Sequence, residues 1–173
     1  MNRRVIDTVV FCSLLTFITG CNDSKEMSSI DPVNWNKRTV GHVLPDSLVS
    51  GETYLSVYSE IYSRTEHQTH ALTVTVSMRN TDPVDSVFIT KAEYFDTQGK
   101  PIRIYFEEPI YLAPLETVEI VIDEKDREGG TGGNFLFDWS TPTTASEPYF
   151  EGVMISTSGQ QGISFTTQGK RVR

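Results

Sequence analysis

The sequence predicts an all-β protein, folded as an antiparallel, immunoglobulin-like (Greek-key) sandwich of about 7–9 strands. Three observations lead to this fold class. From about residue 52 onward, apolar and polar residues alternate with a period of two, which is typical of half-buried strands. Turn-forming residues interrupt this alternation every 8–15 residues or so, and no apolar repeat of 3.6 residues follows the first twenty. Many short strands joined by turns favour a sandwich.

The clearest predicted strand lies between residues 70 and 80, where Leu72, Val74, Val76 and Met78 share one parity. Turn residues at 80–83 end it. Seven further strands are predicted at 54–62, 87–95, 102–106, 117–122, 134–139, 149–157 and 163–167.

The predicted core consists of the apolar residues on one parity of these strands. They are Leu72, Val74, Val76, Ile104, Val118, Ile120, Phe135, Phe137, Trp139, Met154, Ile163 and Phe165. The chain lacks the Cys-Trp-Cys pattern of antibody domains, so the prediction is one of architecture only. A jelly roll or another Greek-key sandwich is the alternative.

The first twenty residues predict a cleaved export signal. A basic start at Arg3 and Arg4 precedes an apolar segment that ends in Gly20 and Cys21. This ending resembles the signal of a bacterial lipoprotein, in which the Cys receives lipid. The resemblance implies that Cys21 becomes the first mature residue, with a diacylglyceryl thioether and an acylated amine. Two or more acyl chains hold a protein stably on a membrane.

The predicted domain organisation has three parts: a signal peptide at 1–20, a lipid-anchored tether at 21–51, and one β-sandwich domain at 52–173. The tether begins with polar residues and is then interrupted by Pro32, Gly41 and Pro45. Because Trp35 and the apolar residues around 40–49 exceed what a linker needs, part of it is expected to pack on the domain. An edge strand near 40–44 is one form of this packing.

Charge restricts the partners of the chain. The net charge is −8, so the surface repels phosphate backbones and anionic lipids. Nucleic acid is therefore not an expected partner, and membrane contact is expected through the lipid anchor. The remaining expected partners are an envelope protein, a glycan or a small ligand.

Five short segments resemble an uncharacterised family of small bacterial exported proteins, many of them lipoproteins, known only as a domain of unknown function. The segments lie at 57–62, 77–82, 93–99, 129–135 and 159–165, within residues 53–169. The resemblance implies a single domain in the cell envelope. It carries no catalytic or binding residue with it.

An acidic, glycine-rich loop at 123–134 is the strongest candidate for a metal site. Its carboxylates, on Asp123, Glu124, Asp126 and Glu128, are ligands of the kind that Ca²⁺ prefers. The spacing does not match an EF-hand loop, and Lys125 and Arg127 offset the acids. A solvated loop between strands, with glycines at positive φ, is the alternative.

A second candidate metal site is the segment that contains Glu66, His67 and His70. Imidazole suits Zn²⁺ or Cu²⁺, but no Cys accompanies these residues. The alternative interpretation places both histidines as exposed polar residues at a hairpin tip.

Two sets of residues are candidates for binding a partner. Tyr54, Tyr58 and Tyr62 share a parity, and on one strand they would form an outward aromatic stripe. Gln160 and Gln161 lie in a predicted tight turn at 158–162, where Gly159 or Gly162 is expected at positive φ.

The sequence contains no recognisable catalytic spacing. No Gly-x-Ser-x-Gly motif occurs in a strand-to-helix setting, and no cofactor is implied. The predicted function is that of a lipid-anchored, non-enzymatic interaction or ligand-binding module. It would face the periplasm from the cell envelope, with the outer membrane slightly favoured over the inner. An envelope metal-binding protein is the alternative.

Overall fold

The structure, a computed structural model, describes residues 33–158 and 162–173, and it confirms the predicted all-β antiparallel sandwich. Twelve strands lie in this part of the chain, rather than seven to nine. They are β1 (Val49–Ser56), β2 (Glu60–Ser63), β3 (Thr65–Ala71), β4 (Thr73–Arg79), β5 (Val87–Phe95), β6 (Pro101–Ile104), β7 (Ile110–Leu112), β8 (Thr117–Ile122), β9 (Asn134–Thr141), β10 (Tyr149–Ser156), β11 (Ile163–Gln168) and β12 (Lys170–Arg171). Short 3-10 helices occur at Trp35–Lys37 and Gly130–Gly132.

The strands form two sheets and one separate hairpin. The larger sheet has the order β12-β1-β9-β5-β6, with β7 also paired to β5. The smaller sheet has the order β11-β10-β4-β8. The hairpin consists of β2 and β3 alone, and every pairing is antiparallel.

The core lies between the two sheets, because alternate residues of each strand point inward. Aromatic rings fill its centre in a stack: the Phe135 and Phe137 centroids are 5.3 Å apart, and those of Phe137 and Phe150 are 4.3 Å apart. Trp139 is also buried, and its indole N–H donates to Thr53 Oγ1 at 2.9 Å. Of the predicted core, nine residues are buried: Leu72, Val74, Val76, Val118, Ile120, Phe135, Phe137, Trp139 and Met154.

Three residues that were predicted in the core are not fully buried. Ile104 is 51% exposed, because it pairs with the outward-facing Glu93 at the edge of the larger sheet. Ile163 is 39% exposed at the start of the edge strand β11. Phe165 is only half-buried, against the periphery of the core. All three lie on edge strands, which pack against fewer neighbours than the central strands do.

Two predicted strands also have different bounds in the structure. The one at 54–62 is divided, since β1 ends at Ser56 and β2 begins at Glu60. The edge strand expected near 40–44 is reduced to a single bridge between Thr39 and Ile110. Part of the predicted tether nevertheless packs on the sandwich, as expected: Val40 is buried, and Trp35 contacts Phe106.

Candidate functional site

The β2–β3 hairpin, residues 60–71, is called the arm below. It is closed at its base where Leu72 N donates to Ser59 O at 2.9 Å, and inside it Thr69 Oγ1 donates to Glu60 Oε2 at 2.8 Å. Its turn is centred on Arg64, which has a φ of +67°. Left-handed backbone is unfavourable for a residue with a Cβ, so this tip is held in a strained conformation.

Five consecutive residues at the tip of the arm, 64–68, are exposed. Tyr62 beside them is 61% exposed. Isolated two-stranded hairpins are only marginally stable in water, so the arm depends on its base for support. The arm therefore presents a tyrosine and an arginine to solvent on a narrow element.

Both histidines of the predicted site lie within β3, with His67 among the exposed residues of the tip and His70 nearer the base of the arm. His67 is exposed, with Nε2 3.3 Å from Glu66 Oε1. His70 Nε2 lies 3.0 Å from Ser156 Oγ and 3.1 Å from Ser158 Oγ, which joins the arm to β10. The two candidate ligands therefore have different partners.

Three of the four candidate carboxylates of the acidic loop, on Asp123, Asp126 and Glu128, have local partners. Arg103 on β6 lies 2.9 Å from Asp126 Oδ2 and 3.5 Å from Glu128 Oε2. Asp123 Oδ1 accepts a hydrogen bond from Lys125 N at 2.8 Å. An open cleft of about 520 Å³ beside the loop is lined by cations as well as acids, namely by Thr73, Asp123, Glu124, Lys125 and Arg127. Across residues 33–158 and 162–173, no group of three or more His, Cys, Asp or Glu side chains is arranged to hold a metal ion.

The glycine-rich turn at 129–133 packs closely on Tyr94. The Tyr94 hydroxyl lies 2.7 Å from Ser59 Oγ, and a Cβ at Gly129 would overlap that hydroxyl. Burial raises the pKa of Tyr94 well above its usual value. Among the glycines predicted at positive φ in this turn, Gly130 has a φ of +65°.

Backbone bonds connect the turn at 129–133 to two other segments of the family-like pattern. Val57 N donates to Gly133 O at 2.9 Å, and Ser59 N donates to Gly130 O at 3.1 Å. Thr97 Oγ1 donates to Gly129 O and accepts from Gly132 N, both at 3.0 Å. Three of the five recognised segments, at 57–62, 93–99 and 129–135, therefore meet at the base of the arm and hold one another in place.

A fourth segment, at 77–82, has a structural role at the other end of the sandwich. The Asn80 amide donates to three backbone carbonyls, those of Asp85, Leu112 and Ala113. Asp82 accepts backbone N–H bonds from Asp85, Val84 and Ser146, which lower its pKa. The polar side chains of Asn80 and Asp82 therefore hold the neighbouring loops together through hydrogen bonds to the backbone.

The three candidate tyrosines do not form one stripe. Tyr54 lies on the outer face of the larger sheet, opposite Leu136 and Lys170. The Tyr58 ring packs edge-on against Phe165 at 5.8 Å, and only Tyr62 is on the arm. The stripe required one continuous strand, and the chain bends at 57–59 instead.

Some candidate residues lie outside the described residues: Cys21, Gln160, Gln161 and Gly159. Gly162, within them, is not among the glycines at positive φ. Arg64 is not among the predicted site residues, because an Arg-Thr dipeptide carries no signal for a left-handed backbone. No helix in the described part of the chain is long and apolar enough to cross a membrane.

Comparisons with known proteins give a family and a distant structural likeness. A family model described as a protein of unknown function (DUF3124) matches residues 50–172. No curated protein matches the chain. A crystal structure of Thermotoga maritima 1070 is similar with a TM-score of 0.44 and 8% sequence identity, over 69% of this chain and 92% of that chain.

Proposed function

Since the chain belongs to the DUF3124 family of unknown function, we propose a function from its own residues: a lipid-anchored binding module of the cell envelope, without enzymatic activity, that engages a protein partner through the arm. The observation that carries this proposal is the exposed pair at the arm's tip, Tyr62 and Arg64. Tyrosine and arginine are the residue types that, with tryptophan, dominate the energy of protein interfaces.

The polar chemistry elsewhere supports the same proposal. Tyr94 and Thr97 are engaged in hydrogen bonds at the base of the arm, and Arg103 on β6 pairs with Asp126 of the acidic loop. Strained backbone conformations cluster at functional sites, and the tip of the arm contains one at Arg64. The hydrogen-bonded base supports the arm, so Tyr62 and Arg64 are presented together on one narrow element.

The lipid anchor is proposed from the signal at 1–20 and from Cys21. Cys21→Ser is expected to abolish acylation, because no other mature residue is a cysteine. The wild-type protein should partition into the detergent phase and the variant into the aqueous phase. A wild-type protein with a free Cys21 thiol would contradict the anchor.

The arm is tested by photo-crosslinking in cells that produce the full chain. A photoreactive amino acid at position 62 is expected to trap one defined partner, whereas the same group at Tyr111, which is also exposed but far from the arm in sequence and on β7, should not. Equal trapping from both positions would indicate non-specific contact and contradict the proposal.

The arginine has a sharper test, because Arg64→Gly removes the side chain while it favours the same backbone conformation. If the guanidinium binds, this variant should lose roughly 30-fold in affinity for the trapped partner, equivalent to about 2 kcal/mol. Its melting temperature should not fall. Unchanged affinity would exclude Arg64 from the interface.

A further inference from the structure

Residues 33–40, called the strap below, are part of the folded domain. Val33 and Trp35 pack against the core, and Val40 is buried. The Trp35 ring lies 5.2 Å from that of Phe106. The predicted tether at 21–51 is therefore not one free segment.

The strap extends the edge of the larger sheet at β7. Tyr111 N donates to Arg38 O at 3.1 Å, and Val40 N donates to Pro109 O at 2.8 Å. The Arg38 guanidinium pairs with Glu116 at 2.8 Å, just before β8. Backbone pairing, apolar packing and an ion pair together fix the strap on this side of the sandwich.

The strap is the N-terminal end of the residues that the structure describes. Val33, its first residue, lines an open groove of about 500 Å³ between the strap and β8. Eleven residues, 22–32, then separate the strap from Cys21. A flexible chain of that length has a root-mean-square span of roughly 18 Å, compared with roughly 30 Å for a free tether of 21–51.

We infer that the strap side of the sandwich, with β8, faces the lipid bilayer. This inference rests on the lipid anchor in the proposed function. Residues 22–32, called the leash below, join the acylated cysteine to the strap. Because this segment is short, the strap side must stay close to the acylated cysteine. The charges that line the groove also permit the approach: Lys37 and Arg38 balance Glu116 and Glu119, in a chain with a net charge of −8. An anionic lipid surface would repel a strongly acidic face.

The experiment compares two positions on one row of the smaller sheet. Glu119 on β8 and Gln168 on β11 are both exposed, and register aligns them through Ser77 and Glu151. Three strand spacings separate them, about 14 Å. Glu119→Cys and Gln168→Cys each supply one thiol for a fluorescent donor, since acylation blocks Cys21.

The lipidated, full-length variants are reconstituted in phosphatidylethanolamine–phosphatidylglycerol vesicles that carry an acceptor on the headgroups. The β8 donor is expected to transfer more energy than the β11 donor. Equal transfer, or more from β11, would overturn the inference while leaving the anchor intact. Failure of the wild-type chain to bind vesicles would instead overturn the anchor, and the inference with it.

Two further variants separate docking from folding. Arg38→Glu places like charges beside Glu116 and should release the strap, which reduces the difference between the two donors. Twelve Gly and Ser residues inserted between 32 and 33 leave every strap contact unchanged. They should also reduce the difference, because the root-mean-square span of the leash grows to roughly 26 Å. A difference that survives the insertion would show that the leash does not set the orientation.

Discussion

At the scale of single residues, the polar groups with the closest contacts maintain the fold. Burial raises the pKa of Tyr94, because the phenolate would lose its hydration between the sheets. Ser59 is its hydrogen-bond partner, and Gly129 leaves room for its hydroxyl. These residues lie in the family-like segments at 57–62, 93–99 and 129–135. In the structure the three residues pack against one another.

Gly129→Ala should destabilise the protein by about 1–3 kcal/mol, as is usual for overpacking. The added Cβ would overlap the Tyr94 hydroxyl and lie 2.9 Å from Ser59 Oγ. Urea unfolding measures the change. Gly41→Ala is the matched control, because a Cβ there meets nothing within 4 Å. Equal stability of the two variants would show that the turn at 129–133 is not packed on Tyr94.

The raised pKa of Tyr94 also predicts a loss of stability at high pH. The folded state holds the phenolic proton more tightly than the unfolded chain, whose tyrosines titrate near pH 10. This contribution is complete below pH 10 and is lost as the pH rises from there toward the folded-state pKa. Above pH 10, the free energy of unfolding of Tyr94→Phe should therefore fall less steeply with pH than that of the wild type. Urea titrations at pH 8 to 11 measure both free energies. If the free energy of unfolding has the same slope against pH in both proteins, Tyr94 is not the cause of the loss of stability at high pH.

At the scale of elements, position in a sheet decides what a side chain contributes. Phe137 on the central strand β9 is fully buried, whereas Phe165 on the edge strand β11 is half-buried against Tyr58. The same alternation of apolar and polar residues marks both strands in the sequence. Only the order of strands distinguishes a central position from an edge.

Phe137→Ala should therefore cost about 3–5 kcal/mol, the usual range for a buried phenylalanine. Phe165→Ala should cost less than half of that, because solvent already reaches its ring. The two free energies of unfolding are measured by urea denaturation of otherwise identical chains. Equal losses would mean that β11 packs more tightly than its exposure indicates.

At the scale of the whole molecule, the folded unit begins before the residues that the family model covers. The strap buries Val40, and it places Trp35 on Phe106 and pairs with the edge at β7. Without it, that edge and its apolar neighbours would be open to solvent and to other chains.

A soluble chain that starts at residue 33 should accordingly be more stable than one that starts at residue 50. The expected difference is roughly 2–4 kcal/mol, from the burial of one valine and part of a tryptophan. Urea denaturation measures it, and light scattering should detect more association in the shorter chain. Equal stability would restrict the domain to the family-matched residues and remove the structural basis for a docked strap.

The sequence by itself determined the fold class and most of the strands. Local alternation and turn chemistry suffice for this, as β5 and β8 show, since both have the predicted bounds. The sequence also identified the segments at 57–62, 93–99 and 129–135 as resembling a family of unknown function. Only the tertiary structure showed that these segments meet, because contacts between distant residues leave no period in the chain.

Burial and site geometry were likewise decided by tertiary structure. Ile104 and Ile163 have the pattern of core residues, but their strands lie at sheet edges. His67 and His70 are close in sequence, but His67 lies beside Glu66 at the exposed tip, whereas His70 contacts Ser156 and Ser158. Alternation tells which residues share a face of a strand, whereas the pairing of strands determines which face is covered.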